Sequence, residues 1–455
     1  MPPLCCGCNV SSFQHDFLTY PINKAKDFYE TCEFHQIEPC FNGLEKLASL
    51  GDIFIFEPTG SYSLLWHDNL LRLGKEVRLI SHNKVSSMRG LCGWVDKDDE
   101  HDAVVCAYYG WLNLDNKSAF NRIRTPQIHS AYLSFLEKER LVKELRVVVN
   151  RAWNLMHREF PEALSKPNGN CEKPKPIWGF IAGKPISKQS TTRYSRALAD
   201  SIGTAKVVGF SKDLIDKAGR IYELQSKRSI VKKEFENFLN MGEYQWLKPV
   251  FDKFRFSIFE RCIFLCQFDP FEQFLDDRLR ELRLDKKRRV TRSGKYATKR
   301  IGLARFHALM GKAIYPWSSG DKEGHIVSGS QLARNHLYLW VKREICLNAN
   351  RPTNSLIQDF RDGYDRDLGL SKTTLTQLIA LSDSELIEGL VLLEKTTIGQ
   401  VLIPSISEAI KAKRSPIANL KQKGSKRLSQ WAKNRVADRA VKVLFKKLMV
   451  AYRDR

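Results

Sequence analysis

The chain has 455 residues, with 74 Lys+Arg against 51 Asp+Glu, a formal charge of +23. Its 43% hydrophobic and 11% aromatic content excludes wholesale disorder. No apolar run reaches the ~18 residues of a membrane span, and MPPLCCGCNVSS lacks the features of a signal peptide.

A soluble cytoplasmic protein is therefore expected. The positive surplus calls for an anionic partner, nucleic acid foremost, which implies association with the nucleoid. Without an amphipathic anchor or lipidation motif, a membrane partner is not expected. The eleven cysteines form no paired knuckles, and Cys262 and Cys266 fall one helical turn apart in an apolar stretch, so reduced core thiols are expected.

Periodicity predicts α/β structure over the first ~115 residues. GDIFIFEPTG (51–60) reads as a buried strand ending at a turn, and SLLWHDNLLRLG (63–74) as a helix closed by Gly74. EVRLISHNK (76–84) reads as the next strand, followed by a loop and a helix beginning near Asp102. Strand, helix, strand with short links points to a parallel or mixed sheet.

The pattern then turns helical. Segments 134–157 and 211–239 are long and charged with an apolar stripe, suiting a helical hairpin or coiled-coil arm, with a Pro/Gly-rich loop between them. Residues 245–345 read as a compact helical unit interrupted by DKKRRVTRSGKYATKR (285–300), which has eight basic residues and one acid. A second run, 411–435, holds nine Lys/Arg and no acid, and a helix follows it. Both runs suit sequence-blind phosphate contact, through Lys286, Lys287, Arg288, Arg289 and Arg292 in the first. In the second they are Lys411, Lys413, Arg414, Lys421, Lys423, Lys426 and Arg427.

Against this basic background, five of the seven residues Asp96–Asp102 are acidic. Asp99 and Asp102 lie three apart, so at a helix N-terminus they share a face and can bind one divalent cation. Helix capping alone also favours acids there. Glu57, at the end of a buried strand, would face the same edge. Clustered carboxylates repel unless a cation neutralises them, so a metal seat inside a basic cradle accounts for the pattern.

FEPTGSY (56–62) resembles the E-x-T-G-x-Y signature of the DEDD-type insertion-sequence transposases, and KDDEHDA (97–103) resembles their K-T-D-x-x-D-A signature. Piv-type site-specific invertases belong to the same family. The resemblance implies a ribonuclease-H/resolvase-like domain over 1–120, with Glu57, Asp99 and Asp102 binding catalytic Mg²⁺ (or Mn²⁺). The family's first acid maps to Asn9 in GCNVS (7–11), one negative charge short; Asp16 is a candidate substitute.

A second block, RFHALMGKAIYPWSSGDKEGHIVSGSQLARNHLYLW (305–340), resembles the family's C-terminal domain. The family's serine nucleophile, which forms a covalent phosphoserine link to DNA, maps to Ser319, with Ser318 its neighbour. Arg334 and His336 there are phosphate contacts or helix surface and core residues. His101 reads as a turn histidine, Trp66 and Tyr62 as core packing. The family's Gly-rich helix-hairpin-helix maps to 248–264, where the glycines are missing.

The implied architecture is α/β plus all-α: a metal domain (1–120), a helical arm (121–245), a helical serine-bearing transposase domain (246–350), and a helical insertion with a basic tail (351–455). The implied partners are DNA, a structured guide RNA and further copies of the chain, as a dimer or tetramer joined through 134–239. The implied function is DNA transposition or recombination. The alternatives are a metal-dependent nuclease or junction resolvase, with Ser319 structural, and a decayed transposase that binds nucleic acid without cutting.

Overall fold

The computed structural model describes residues 21–31, 34–58, 61–94, 96–116, 119–121, 124–164, 174–290, 296–319, 322–347 and 353–455. The chain is mostly helical and divides into two units, Met1–Pro126 and Gln127–Arg455.

The first unit runs α1 (Pro21–Thr31), α2 (Phe41–Ser49), β1 (Ile53–Phe56), α3 (Ser61–Arg72), β2 (Glu76–Leu79), α4 (His82–Leu91) and α5 (Asp99–Leu112). β1 pairs in parallel with β2, Ile53 opposite Glu76 and Phe56 opposite Leu79, and α3 provides the crossover. Alternation along IFIF sends Phe54 and Phe56 to one face, where they bury Trp66 and Leu70 of α3 and Leu47 of α2. Ile55 goes to the other face, with Ile80, Val85 of α4 and Val105 of α5. Helices thus cover both faces of the strand pair. Gly74, at φ +75°, turns the chain from α3 into β2.

The expected strand at 76–84 stops at Leu79, because Ser81 starts a helix at His82. The helix expected near Asp102 begins at Asp99, after Asp98 as N-cap.

The second unit opens with α6 (Pro126–Glu159) and continues through α7 (Pro176–Ile181), α8 (Lys188–Ala199), α9 (Ala205–Val208) and α10 (Lys212–Leu239). α11 (Lys248–Lys253), α12 (Ile258–Phe268), the hairpin β3 (Arg283–Val290) and β4 (Tyr296–Arg300), and α13 (Ile301–Leu309) follow. Next come the hairpin β5 (Ala313–Ser319) and β6 (Lys322–Ser328), and α14 (Gln331–Trp340), which continues as a π-helical stretch, Val341–Cys346. α15 (Ser355–Ile379), α16 (Asp383–Glu388), α17 (Leu390–Glu394), α18 (Thr397–Lys411) and α19 (Pro416–Arg453) complete it.

α6 and α10 run antiparallel. Phe135 stacks on Phe235 at 6.0 Å, while Glu159 accepts from the Ser211 amide (2.8 Å) and hydroxyl (2.6 Å) at the other end. One core draws on α6, α10, α12, α13, α14, α15 and α19, and a smaller one joins α15, α18 and the first half of α19.

The helical reading of 245–345 needs correction at Ala313–Ser319 and Lys322–Ser328, which pair as antiparallel strands, while the basic interruption holds a second antiparallel pair, Arg283–Val290 with Tyr296–Arg300. The basic run 411–435 also differs, lying mostly within the 38-residue α19. Lys, Arg, Gln, Ala and Leu favour helix, and Leu420, Gly424, Leu428, Ala432 and Val436 recur every fourth residue to give α19 a buried stripe.

Phe306 is fully buried at the centre of the main core, its ring 5.2 Å from Phe445, 5.5 Å from Phe274 and 5.7 Å from Phe268. Phe306→Ala should cost about 3–5 kcal/mol, read as lost hydrogen-exchange protection in α13 and α19. Protection unchanged in both helices would refute this packing.

Candidate functional site

Glu57 follows β1 directly and His82 opens α4 after β2, so both stand at the carboxyl end of the parallel pair. Ligands bind at that edge in open α/β sheets. His82 Nδ1 donates to Glu57, whose side chain is 16% exposed. Asp102 is buried in the first turn of α5, where Arg89 of α4 holds its carboxylate. Asp99 lies one turn earlier on α5 and is exposed.

The oxygen donors suit a hard divalent cation. As folded here, however, Glu57 and Asp102 direct their charge to His82 and Arg89. Among the described residues no three His, Cys, Asp or Glu side chains gather as a metal-holding group. Asn9 and Asp16 lie outside the described residues.

His101 stacks on Trp94 at 4.4 Å and packs against Tyr29 at 4.8 Å, with Asp98 3.6 Å from its Nδ1. It is aromatic packing at the start of α5. Trp66 is core, as expected.

Ser318 and Ser319 end β5, with Ser319 opposite Lys322 of β6. Lys286–Arg289 lie on β3, and Arg292 falls outside the described residues. Lys411, Lys413, Arg414, Lys421 and Lys426 are exposed. Lys423 and Arg427 instead meet Glu408 of α18, at 2.6 and 3.7 Å. Arg334 is half-buried, its Nε without a hydrogen-bond partner among the described residues.

His336 is a core residue. Its Nε2 donates to Glu139 at 3.1 Å, and its ring meets Phe135 edge-on. Lys138 donates to the same carboxylate at 2.6 Å. The His336 hydrogen bond, with Lys138 adding to it, holds the Glu139 carboxyl down at about 2. Burial pulls the Lys138 ammonium the other way, below its ordinary value, and outweighs its bond to Glu139.

Lys138 and His336 border a cleft of about 1190 Å³ between α6, α10, α12 and α14, with eight Lys/Arg and two Glu on its walls. Sequence reasoning missed it, because its cations are scattered from Lys138 to Arg343 and no single segment is rich in them.

The chain matches no protein-family model and no curated protein. No helix among the described residues is long and apolar enough to cross a membrane.

Two outcomes follow from the paired acids. Arg89→Ala leaves Asp102 buried and unpaired, which should cost about 3–5 kcal/mol, seen as faster amide exchange in α4 and α5. Arg89→Ala/Asp102→Ala should recover part of it; unchanged exchange in the single variant would contradict the pairing. Glu139, with its depressed pKa, contributes stability above its ordinary value near 4.5 that is lost as pH falls toward about 2. Glu139→Gln should flatten acid unfolding across this window, and an unchanged profile would argue against the charged pair.

Proposed function

We propose that the chain is a DNA transposase or recombinase of the DEDD-type lineage, with a ribonuclease-H-like first unit and Ser319 as nucleophile. The supporting observation is Glu57 at the carboxyl end of β1, in a parallel β-α-β unit, with Asp99 and Asp102 in the first turn of α5, the second helix after that unit. The resembled motif requires that arrangement, and Glu57 and Asp99 stand 42 positions apart in sequence.

In this reading Asn9, Glu57, Asp99 and Asp102 hold Mg²⁺ (or Mn²⁺). When bound, the ion supplies Lewis-acid polarisation of a phosphoryl oxygen. Ser319 then contributes the bond-forming step. Its Oγ loses a proton and bonds to phosphorus as a sugar oxygen departs with a proton, so the number of phosphate ester bonds is conserved. Exposed cations such as Lys411, Lys421 and Lys426 neutralise phosphates along the DNA. A structured guide RNA, a dimeric or tetrameric assembly and a cytoplasmic, nucleoid-associated setting belong to the same reading.

A second reading, nucleic-acid binding without cleavage, is favoured by the Arg89–Asp102 ion pair together with Asn9. Arg89 already neutralises one of the acids, and Asn9 removes the charge of another.

Incubation with DNA and Mg²⁺, followed by denaturing gel electrophoresis, separates the readings. A transposase gives a covalent protein–DNA adduct that Ser319→Ala abolishes and Ser318→Ala retains. Free ends without an adduct would indicate a hydrolytic nuclease. If the wild type gives neither, Asn9→Asp should create Mg²⁺-dependent cleavage; cleavage in neither protein would overturn the enzyme reading.

A further inference from the structure

The cleft of the second unit carries more positive charge than its own carboxylates can neutralise. Four of its eight basic side chains have acidic partners: Lys138 with Glu139, Lys232 with Glu236, Arg261 with Asp252 and Arg343 with Glu260. The other four, Arg146, Lys175, Arg228 and Lys342, make no ion pair among the described residues. Apolar side chains make up much of the wall between them. Leu339 and Leu347 are half exposed. Phe259 is half-buried, with Lys138 Nζ 4.7 Å and the Arg228 guanidinium 5.9 Å from its ring centre.

An aromatic and aliphatic wall set among unpaired cations serves a ligand that has both flat apolar faces and repeated negative charge. At about 1190 Å³ the cleft exceeds the ~300–1,000 Å³ of small-molecule pockets, which favours an extended ligand. A duplex offers only phosphates to such walls, because its bases are stacked inside. A single strand offers phosphates to the arginines and lysines and bases to the rings.

We infer that this cleft binds single-stranded nucleic acid, with bases against Phe259, Leu339 and Leu347 and phosphates on Arg146, Lys175, Arg228 and Lys342. The inference rests on the nucleic-acid part of the proposed function, and not on the acids or Ser319. An acidic peptide would also meet the cations. The strand is the better fit because the cleft sets Phe259, Leu339 and Leu347 among its unpaired cations, and bases can lie on such a wall whereas an acidic peptide brings only carboxylates.

Fluorescence anisotropy of the full chain tests this with labelled 15-mers of dT and of U, a 20-base-pair duplex, and a poly-glutamate peptide. Arg146→Gln/Arg228→Gln is the main variant, since neither arginine makes an ion pair among the described residues. Phe259→Leu is the second, and the melting temperature is checked for both.

The double variant should bind at least one single strand tenfold or more weakly, and Phe259→Leu about threefold more weakly. Duplex affinity and adduct yield should stay within twofold of wild type. A drop with dT alone assigns the cleft to DNA, and one with U alone to RNA. Wild-type single-strand affinity in the double variant would overturn the inference, as would a loss confined to poly-glutamate. A cleft effect with neither adduct nor cleavage, in the wild type and in Asn9→Asp alike, would overturn the enzyme reading and leave this one standing.

Discussion

A carboxylate can be taken out of water only if something replaces its hydration, and in this chain cations do so repeatedly. Asp102 is sealed by Arg89. Glu260 accepts both ends of the Arg343 guanidinium at 2.7 and 2.8 Å, and Glu344 meets Arg343 and Arg255. Glu281 receives Arg300 across the base of the first hairpin, and Glu139 receives Lys138 and His336. Glu159 is the exception. It is buried against an amide and a hydroxyl at the start of α10, where the helix dipole supplies the positive charge. These pairs tie together helices far apart in sequence, and breaking one leaves a charge stranded in the interior.

Pairing buried acids in this way leaves the surplus of cations at the surface. A chain of +23 that draws only some of its cations into such pairs presents its excess along α19, on the loop before it and inside the cleft. The same logic governs the carboxyl edge of β1 and β2. Glu57 and Asp102 hold their charge there against His82 and Arg89, and any anion or cation that approaches must compete with those partners. Each unit thus carries its own concentration of charge, an acidic edge at β1 and β2 in the first and a basic cleft between α6, α10, α12 and α14 in the second.

The strand at IFIF, the helix after it and the pairing with EVRL were legible because burial on both sheet faces leaves an uninterrupted apolar signal closed by Gly74. The hairpins were not. In DKKRRVTRSGKYATKR the charges mask any two-residue alternation. AIYPWSS and KEGHIVS do carry Ile, Tyr, Trp and Val around Gly-Asp, a hairpin signal, but the stretch was read through its serine motif. In 411–435 the charge count dominates the pattern and puts the helix after the run, although its leucines and small residues keep a four-residue spacing within it. At the candidate site, the positions of Glu57 and of Asp99/Asp102 followed from local pattern. Their partners His82 and Arg89, the burial of His336 and the cleft depend on helices meeting in space, and no local pattern encodes them.

The account turns on the claim that the unmatched cations of this chain face solvent in order to meet a polyphosphate. The most direct measurement is the affinity of the full chain for a random-sequence oligonucleotide between 50 and 200 mM salt. Displacement of counterions from roughly six or more phosphates predicts a fall on the order of a thousandfold over that range. An affinity that is weak throughout, or that barely changes with salt, would contradict the account.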